Sequence, residues 1–350
     1  MRDTGHDAPI VTTEASPQSS GAVLLVRFLA GRVLQGLPVL ALVAIGVFIL
    51  LELAEGDAVD AYLAGIGSGD AGFAAQLRER YGLGDSLWTR FATYVTQLVQ
   101  FDLGYSVAFS RDVASVILER LPNTLLMMAS AIMLSASMGV LLGGVAALRR
   151  GKPADIIITS GALILNAMPG FWLGLLGIIL FAVKLRWLPI GGLSTLDADY
   201  GPIGATLDVA RHLVLPVVTL ALTYLALYVR LMRGAMIEVG TSGWVQAARA
   251  RGIPRRAIVL HHMARPALLP VVTMIGLQSG TLLGGSVVIE SVFSIPGLGA
   301  LAFEAVTQRD LPLLAGILLA GTLLVVFVNI VVDLVYRVLD PRVRLGAESA

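Results

Sequence analysis

The chain has 350 residues, of which 56% are hydrophobic and only 14% charged, and a formal net charge of +1. That balance is too apolar for a water-soluble domain of this length, because too few polar side chains remain to cover a buried core. With no cysteine, disulfides and thiol metal sites are excluded and the redox compartment is left open.

Residues 1–22 are polar and hold Pro, Ser, Thr and Asp, the composition of a disordered cytoplasmic tail without a removable targeting signal. The apolar run inside 23–55 begins too far in and runs too long for a signal peptide, so it reads as an uncleaved first transmembrane helix. A hydrocarbon core about 30 Å thick needs about 20 mostly apolar helical residues. Spans are predicted near Leu37–Leu53, Thr124–Leu148, Ile156–Val183, Leu213–Leu231, Leu268–Val288 and Leu313–Val335. Pro38, Pro169 and Pro216 lie within or beside them, as is tolerated where neighbouring helices satisfy freed backbone groups. The expected fold class is all-α, a polytopic membrane protein with about six transmembrane helices.

Between the first two spans, residues 56–120 form an extracytoplasmic region, before a five-helix core over 121–340. In "GDSLWTRFATYVTQLVQFDLG", Leu87, Phe91, Val95, Leu98 and Val99 recur at helical spacing. Trp88, Phe91, Tyr94 and Phe101 suit headgroup depth, so an amphipathic helix on the outer membrane face is expected, with a docking surface as the alternative.

Orientation follows from Lys and Arg. Arg149, Arg150 and Lys152 follow the second span, and Arg230, Arg233, Arg249, Arg251, Arg255, Arg256 and Arg265 follow the fourth. Arg337, Arg342 and Arg344 follow the last, and Arg27 and Arg32 precede or open the first. Positive-inside reasoning puts both termini, including the tail 341–350, in the cytoplasm. Glu52, Asp333 and Glu290 stand near span ends, where each is expected to reach water or headgroups. Asn166, Gln278 and Ser279 lie deeper, either bonding between helices or lining a translocation path.

The chain has no phosphate loop, no H-E-x-x-H and no G-x-S-x-G elbow, so ATP hydrolysis or other catalysis by this chain is not expected. His261 and His262 are neighbours whose side chains diverge by about 100° on a helix, a poor pair for one metal ion. They read as solvated or partner-facing.

The stretch "VQAARARGIPRRAIVLHHMARPALLP", residues 245–270, is a basic, punctuated insert between two apolar runs. Thr241 or Ser242 is placed to cap a short helix, which Gly252 ends in the left-handed conformation and Pro254 prevents from continuing. A second helix then runs to Pro266 and back into the membrane. The product is a helix–Gly–helix elbow over 241–266, with Ala247 and Ala248 small enough for another surface to close over them.

"QAARARG" followed by "LLP" resembles the E-A-A-x-x-x-G signature of permease subunits of bacterial ATP-binding-cassette (ABC) importers. The likeness continues through "ERLPNTL", "PGFWLGLL", "HLVLPVVTLAL", "ESVFSIPGLGAL" and "DPRVRL", which look like the peptide/nickel importer permeases, B-type rather than second of the pair. It implies a type I importer transmembrane domain in the bacterial cell membrane, with the elbow as coupling helix: Gly243, Gln246, Ala247, Ala248, Gly252 and Pro254. Gln246 and Gly243 stand where the family has acids, Glu55-Gly56-Asp57 where it often has Pro-Gly-Asp, and Gly170 where it often has Ser. The implied partners are a homologous second permease, two ATPase subunits holding ATP-Mg, an extracytoplasmic binding protein and the lipid bilayer; no cofactor is implied in this chain. Peptide is the expected cargo. Nickel is the alternative, although a path of imidazoles would want histidines within the spans; glutathione, glycosides and other small solutes stay open. A secondary transporter or a non-transporting scaffold would be a different class, and neither inverted repeats nor a central acid favours the former.

Overall fold

A computed structural model describes residues 21–53, 86–106, 108–195 and 200–339, apart from the side chains of 21–25, 27, 279–285 and 336–339. Residues 1–20 and 340–350 of the expected tails, the stretch 54–85 and the side chain of Ser279 therefore lie outside the described residues.

The described residues are almost wholly helical. Helix α1 spans Gly21–Leu53 and α2 spans Leu87–Val99. A two-residue hairpin pairs β1 (Tyr105–Ser106) with β2 (Arg111–Asp112), antiparallel, and leads into α3, Val113–Leu148. Then come α4 (Pro153–Ala167), α5 (Gly170–Gly177) with its π-helical continuation Ile178–Lys184, and α6 (Pro202–Gly240). Helix α7 (Gly243–Ala250) is followed by α8 (Arg255–Ala257), which passes through a second π-helical stretch, Ile258–Ala264, into α9 (Arg265–Val292). Helices α10 (Leu298–Thr307) and α11 (Leu311–Leu339) complete the chain. Five helices are long and apolar enough to cross a membrane, or six if the bent pair α4–α5 counts as one span.

The third predicted span is not the single rod expected over Ile156–Val183: its two halves meet at 98°. The cause is local. Pro169 disfavours helical geometry in the residue before it, and Met168 accordingly adopts an extended conformation with ψ of 136°. The pair nonetheless crosses. At its start, Asp155 bonds Arg233, near the elbow end of α6. Beyond its end, the Gly192 N–H donates to the carbonyl of Phe293, at the far end of α9. Counted this way the described residues make six crossings. The start of α1 and the end of α11 lie on the same side, joined by an Arg32–Asp333 ion pair of 3.0 Å.

The outer helix α2 is amphipathic as expected and docks on α1. Phe91 and Tyr94 lie 5.1 and 5.7 Å from the Phe48 ring, and Arg90 pairs with Glu52 at 2.9 Å. Trp88 stays 81% exposed, free to lie among headgroups.

The bundle's tightest seam joins α3 to α6. With lipid on the outside, helices gain little from hiding apolar surface, and close backbone approach takes over. Gly139 and Gly143, one turn apart on α3, provide it. A Cβ at Gly139 would collide with Tyr228, and one at Gly143 would sit 2.6 Å from the Val229 carbonyl oxygen. Backbone cannot yield as a side chain tip can. Gly144, next along, has open space around its Cβ position. Replacing Gly143 with Ala is therefore expected to lower thermal stability of the purified chain by roughly 1–3 kcal/mol. Gly144→Ala should be neutral or slightly stabilising, because Ala favours helix. Comparable melting of both variants, followed by circular dichroism in detergent, would remove the seam from this description.

Candidate coupling elbow and path residues

The elbow begins where α6 ends. Ser242 occupies the N-cap position of α7, but its hydroxyl does not cap, contrary to expectation. It donates instead to the Val239 carbonyl at 2.6 Å, while Thr241 Oγ1 donates to Glu238 O at 2.7 Å. Both hydroxyls thus close the last turn of α6. Gln246 reaches back from α7, its Nε2 donating to the Thr241 carbonyl at 3.1 Å.

The far end follows the expected plan. Gly252 has φ of +73°, its N–H donates to Arg249 O at 3.0 Å, and the Ile253 N–H donates to Ala248 O at 3.2 Å. These two bonds form a Schellman closure, with Ile253 packed in the same apolar cluster as Ala248. A residue with a Cβ would strain at Gly252. Pro254 then starts the returning helix.

That returning helix passes through Pro266 into the membrane. It continues from Arg255 into α9, with a π-helical register over Ile258–Ala264 just ahead of the proline. Pro266 lacks an N–H and its ring crowds the carbonyl four residues earlier. A widened turn there gives the ring room.

Exposure divides α7 into two faces. Val245 is fully buried and Ala248 only 2% exposed, both packed with Tyr228, Met232, Met236, Ile258 and Met263. Gly243, Trp244, Gln246, Ala247, Arg249 and Arg251 face outward. The expectation that both alanines leave room for an incoming surface is thus corrected: Ala248 closes the elbow onto its own chain, and Ala247 alone is open. Alternation of this kind needs the third dimension, since the two residues are adjacent. The Cβ position at Gly243 has nothing within 4 Å, so the missing acid there is not a steric matter.

A further clamp sits beside the elbow and was not anticipated. Asp155, 4% exposed, accepts two bonds from Arg233, at 2.7 and 2.8 Å, and one from the Gly151 N–H at 3.0 Å. It ties the start of α4 to α6 about two turns before α6 ends. His261 is exposed and His262 half-buried. No group of three metal-ligating side chains occurs among the described residues.

At the opposite end, Glu290 contradicts its expected place in water or headgroups. It is wholly buried. Thr124 donates to its Oε1 and the Ala300 N–H to its Oε2, both at 2.8 Å, while the Leu298 N–H donates to Thr124 Oγ1 at 2.7 Å. The carboxylate caps α10, where orphan N–H groups and the helix dipole offset its desolvation. Gly297 and Gly299 are required: a Cβ at either would strike Glu290. Glu52 and Asp333, also expected in water, are each held by an arginine.

The candidate path residues do not converge. Asn166 is exposed in the last turn of α4, beside the break. Gly170, just past the break, approaches Thr223 and Ile289. Gln278 is half-buried on α9, eleven residues before Ile289, about 16 Å away along that helix at 1.5 Å per residue.

Six crossings among the described residues, one of them broken, and an elbow packed between two of them make up a polytopic membrane domain. The comparisons make the class particular. Residues 139–345 match the family described as binding-protein-dependent transport system inner membrane component, and the chain belongs to it. It is 38% identical to a putative peptide permease protein of Brucella ovis, over 92% of this chain and all of that one. It is 37% identical to the di/tripeptide transport system permease protein DppB of Pseudomonas aeruginosa (91% and 99%). It is 33% identical to the oligopeptide transport system permease protein AppB of Bacillus subtilis (91% and 100%). Among solved structures, the inward-facing MetNI methionine ABC transporter superposes with a TM-score of 0.52 at 19% identity, covering 64% of this chain and 96% of that one. The fold is that of a type I ABC-importer transmembrane domain.

Two outcomes check this description. In this cysteine-free chain, Ala247→Cys should react readily with a water-soluble maleimide while Ala248→Cys stays unmodified; equal labelling would refute the two-faced elbow. Glu290→Ala should lower stability by roughly 1–3 kcal/mol by orphaning buried N–H groups. Glu304→Ala, whose carboxylate makes no bond among the described residues, should not.

Proposed function

We propose that this chain is a permease subunit of an ATP-driven importer of short peptides, coupled to ATPase subunits through α7. The observation that carries the coupling is the division of that helix: Val245 and Ala248 lock into the bundle, while Gln246, Ala247, Arg249 and Arg251 remain open. A force applied to the open face would pass directly to α6 and α9, between which α7 is packed. Exposed guanidinium groups suit an acidic rim on the ATPase. The named relatives being peptide permeases favours peptide over nickel as cargo.

In this reading the working assembly holds a homologous second permease, two ATPase subunits binding ATP-Mg, and an extracytoplasmic binding protein that delivers the cargo. The chain itself splits no ATP. It lies in the bacterial cell membrane with both termini in the cytoplasm, the side to which the basic elbow belongs. ATP and cargo need only favour different conformations of the assembly for binding of one to drive movement of the other. Gly243, Gln246, Ala247, Gly252 and Pro254 shape the coupling surface, and Ala248 anchors it. Asn166, Gln278 and Ser279 are kept as candidate path residues at different depths of the path.

Reconstitution tests this directly. Proteoliposomes holding this chain with its partner subunits and binding protein should accumulate labelled di- or tripeptide only with ATP. Uptake driven by an ion gradient, with no ATPase subunit present, would overturn the proposal. In the active assembly, Ala247→Cys should crosslink to a cysteine on the ATPase; an active assembly in which no open-face position crosslinks would remove α7 from the coupling role.

A further inference from the structure

On the elbow's side of the membrane, a groove of about 380 Å³ opens between α1, α9 and α11. One end is charged. Arg32 pairs with Asp333 at 3.0 Å and donates to Gln35 Oε1 at 3.1 Å, with its guanidinium 5.5 Å from the Phe28 ring centroid. Asn329 lines the groove one turn in from Asp333. The other end is largely apolar, lined by Val39, Leu277, Val325 and Val326 with Thr322, whose hydroxyl donates to the Leu318 carbonyl.

Of the lining residues on α11, 322, 325, 326, 329 and 333 have the spacing of one helix face, with 330 and 332 at its margins. From Thr322 to Asp333 is eleven residues, about 16 Å, roughly half of a hydrocarbon core near 30 Å. The groove therefore runs the depth of one leaflet, with charge at the surface and apolar walls within. Helix α1, which forms one wall, is the least buried of the candidate spans, at 11% of its most apolar window. Water does not fill an apolar cleft open to acyl chains; a lipid tail does.

The charged end selects the headgroup. Arg32 and Asp333 cancel, so an anionic headgroup would bring uncompensated charge. A zwitterion matches both. Arg32 keeps N–H donors beyond its two protein bonds and can add a phosphate oxygen. Asp333, with Asn329 and Gln35 beside it, accepts from N–H groups, which a primary ammonium has and a quaternary choline lacks.

We infer that this groove binds a phospholipid of the elbow-side leaflet whose headgroup joins a phosphate to a primary ammonium, as in phosphatidylethanolamine. The lipid wedges α1 against the bundle, with its phosphate at Arg32, its ammonium at Asp333 and a chain along the α11 face. The site does not depend on the cargo or on ATP coupling.

The test places the full-length chain in nanodiscs with equal amounts of phosphatidylethanolamine, phosphatidylcholine and phosphatidylglycerol of matched chains, and reads retained lipid by native mass spectrometry. Phosphatidylethanolamine should be retained preferentially, roughly tenfold over phosphatidylcholine, the worth of one charge-assisted hydrogen bond. The near-isosteric Asp333→Asn should abolish the preference, while Arg32→Ala should lower retention of both zwitterionic lipids. Leu277→Trp, which fills the apolar end without touching a charge, should lower the retained phosphatidylethanolamine while helix content and elution volume stay unchanged. If Arg32→Ala does not fold, the other two variants decide. Equal retention of the three lipids, a preference for the anionic one, or a phosphatidylethanolamine preference that survives Asp333→Asn overturns the inference and leaves ordinary boundary lipid or a partner helix as the occupant.

Discussion

The packing of Val245 and Ala248 against α6 and the returning helix is the contact on which the mechanical reading depends. A cytoplasmic loop joined only at its ends would absorb a push by bending. This one cannot bend easily, because its inner face belongs to the same apolar cluster as Tyr228, Met232 and Met236 on α6 and Met263 at the root of α9. The Schellman closure at Gly252 fixes the angle of return, and the continuous helix from Arg255 carries that angle into the membrane. Stiffness comes from side chains facing inward. Recognition is left to those facing outward.

The same economy of polar groups recurs through the bundle. Three buried carboxylates, Asp155, Glu290 and Asp310, stand at connections between elements rather than in mid-helix. Asp310 accepts from Ser106 Oγ at 2.6 Å and from the N–H groups of Ala108 and Leu313 at 3.1 Å, so one side chain caps α11 and holds the β1–β2 hairpin. Glu290 performs the equivalent task for α10, and Asp155 for the turn before α4. Each would be costly if unpaired in so apolar a protein, and each is instead bonded to the N–H groups a connection leaves free. These acids hold the ends of helices. They do not mark an ion path.

Such roles set what the sequence could disclose. Span positions were legible because length and hydropathy suffice for them, and the left-handed Gly252 because Gly followed by a nearby Pro has few other uses. The break at Met168–Pro169 was not, since a proline inside a membrane helix is compatible with a mild kink as well as a sharp turn. Glu290 near a span end looks like a solvated acid until Thr124, distant by 166 positions, is brought against it. Ala247 and Ala248 are chemically identical, and only the helix phase relative to α6 separates the open one from the anchor. The Gly139-x-x-x-Gly143 spacing was available, but its partner helix was not.

The contrast between glycine seams and capped ends bears on how such a bundle can move. Along α3 and α6 the contact is backbone against backbone, close but made of individually weak dispersion terms. At the ends, carboxylates engage particular N–H and hydroxyl groups at 2.6–3.1 Å. A conformational change that kept the caps and shifted the seams would cost far less than the reverse. The elements free to shift together are then those the caps leave unjoined: α6, α7 and α9 form one body through the elbow cluster, while α10, α11 and the hairpin form another through Asp310 and the outer knot. Glu290 and Thr124 join these bodies by hydrogen bonds at the outer end, whereas nearer the elbow α9 and α11 meet where Gly276 packs against Val332, so motion driven at α7 should open and close the bundle from the elbow's side, pivoting about that knot.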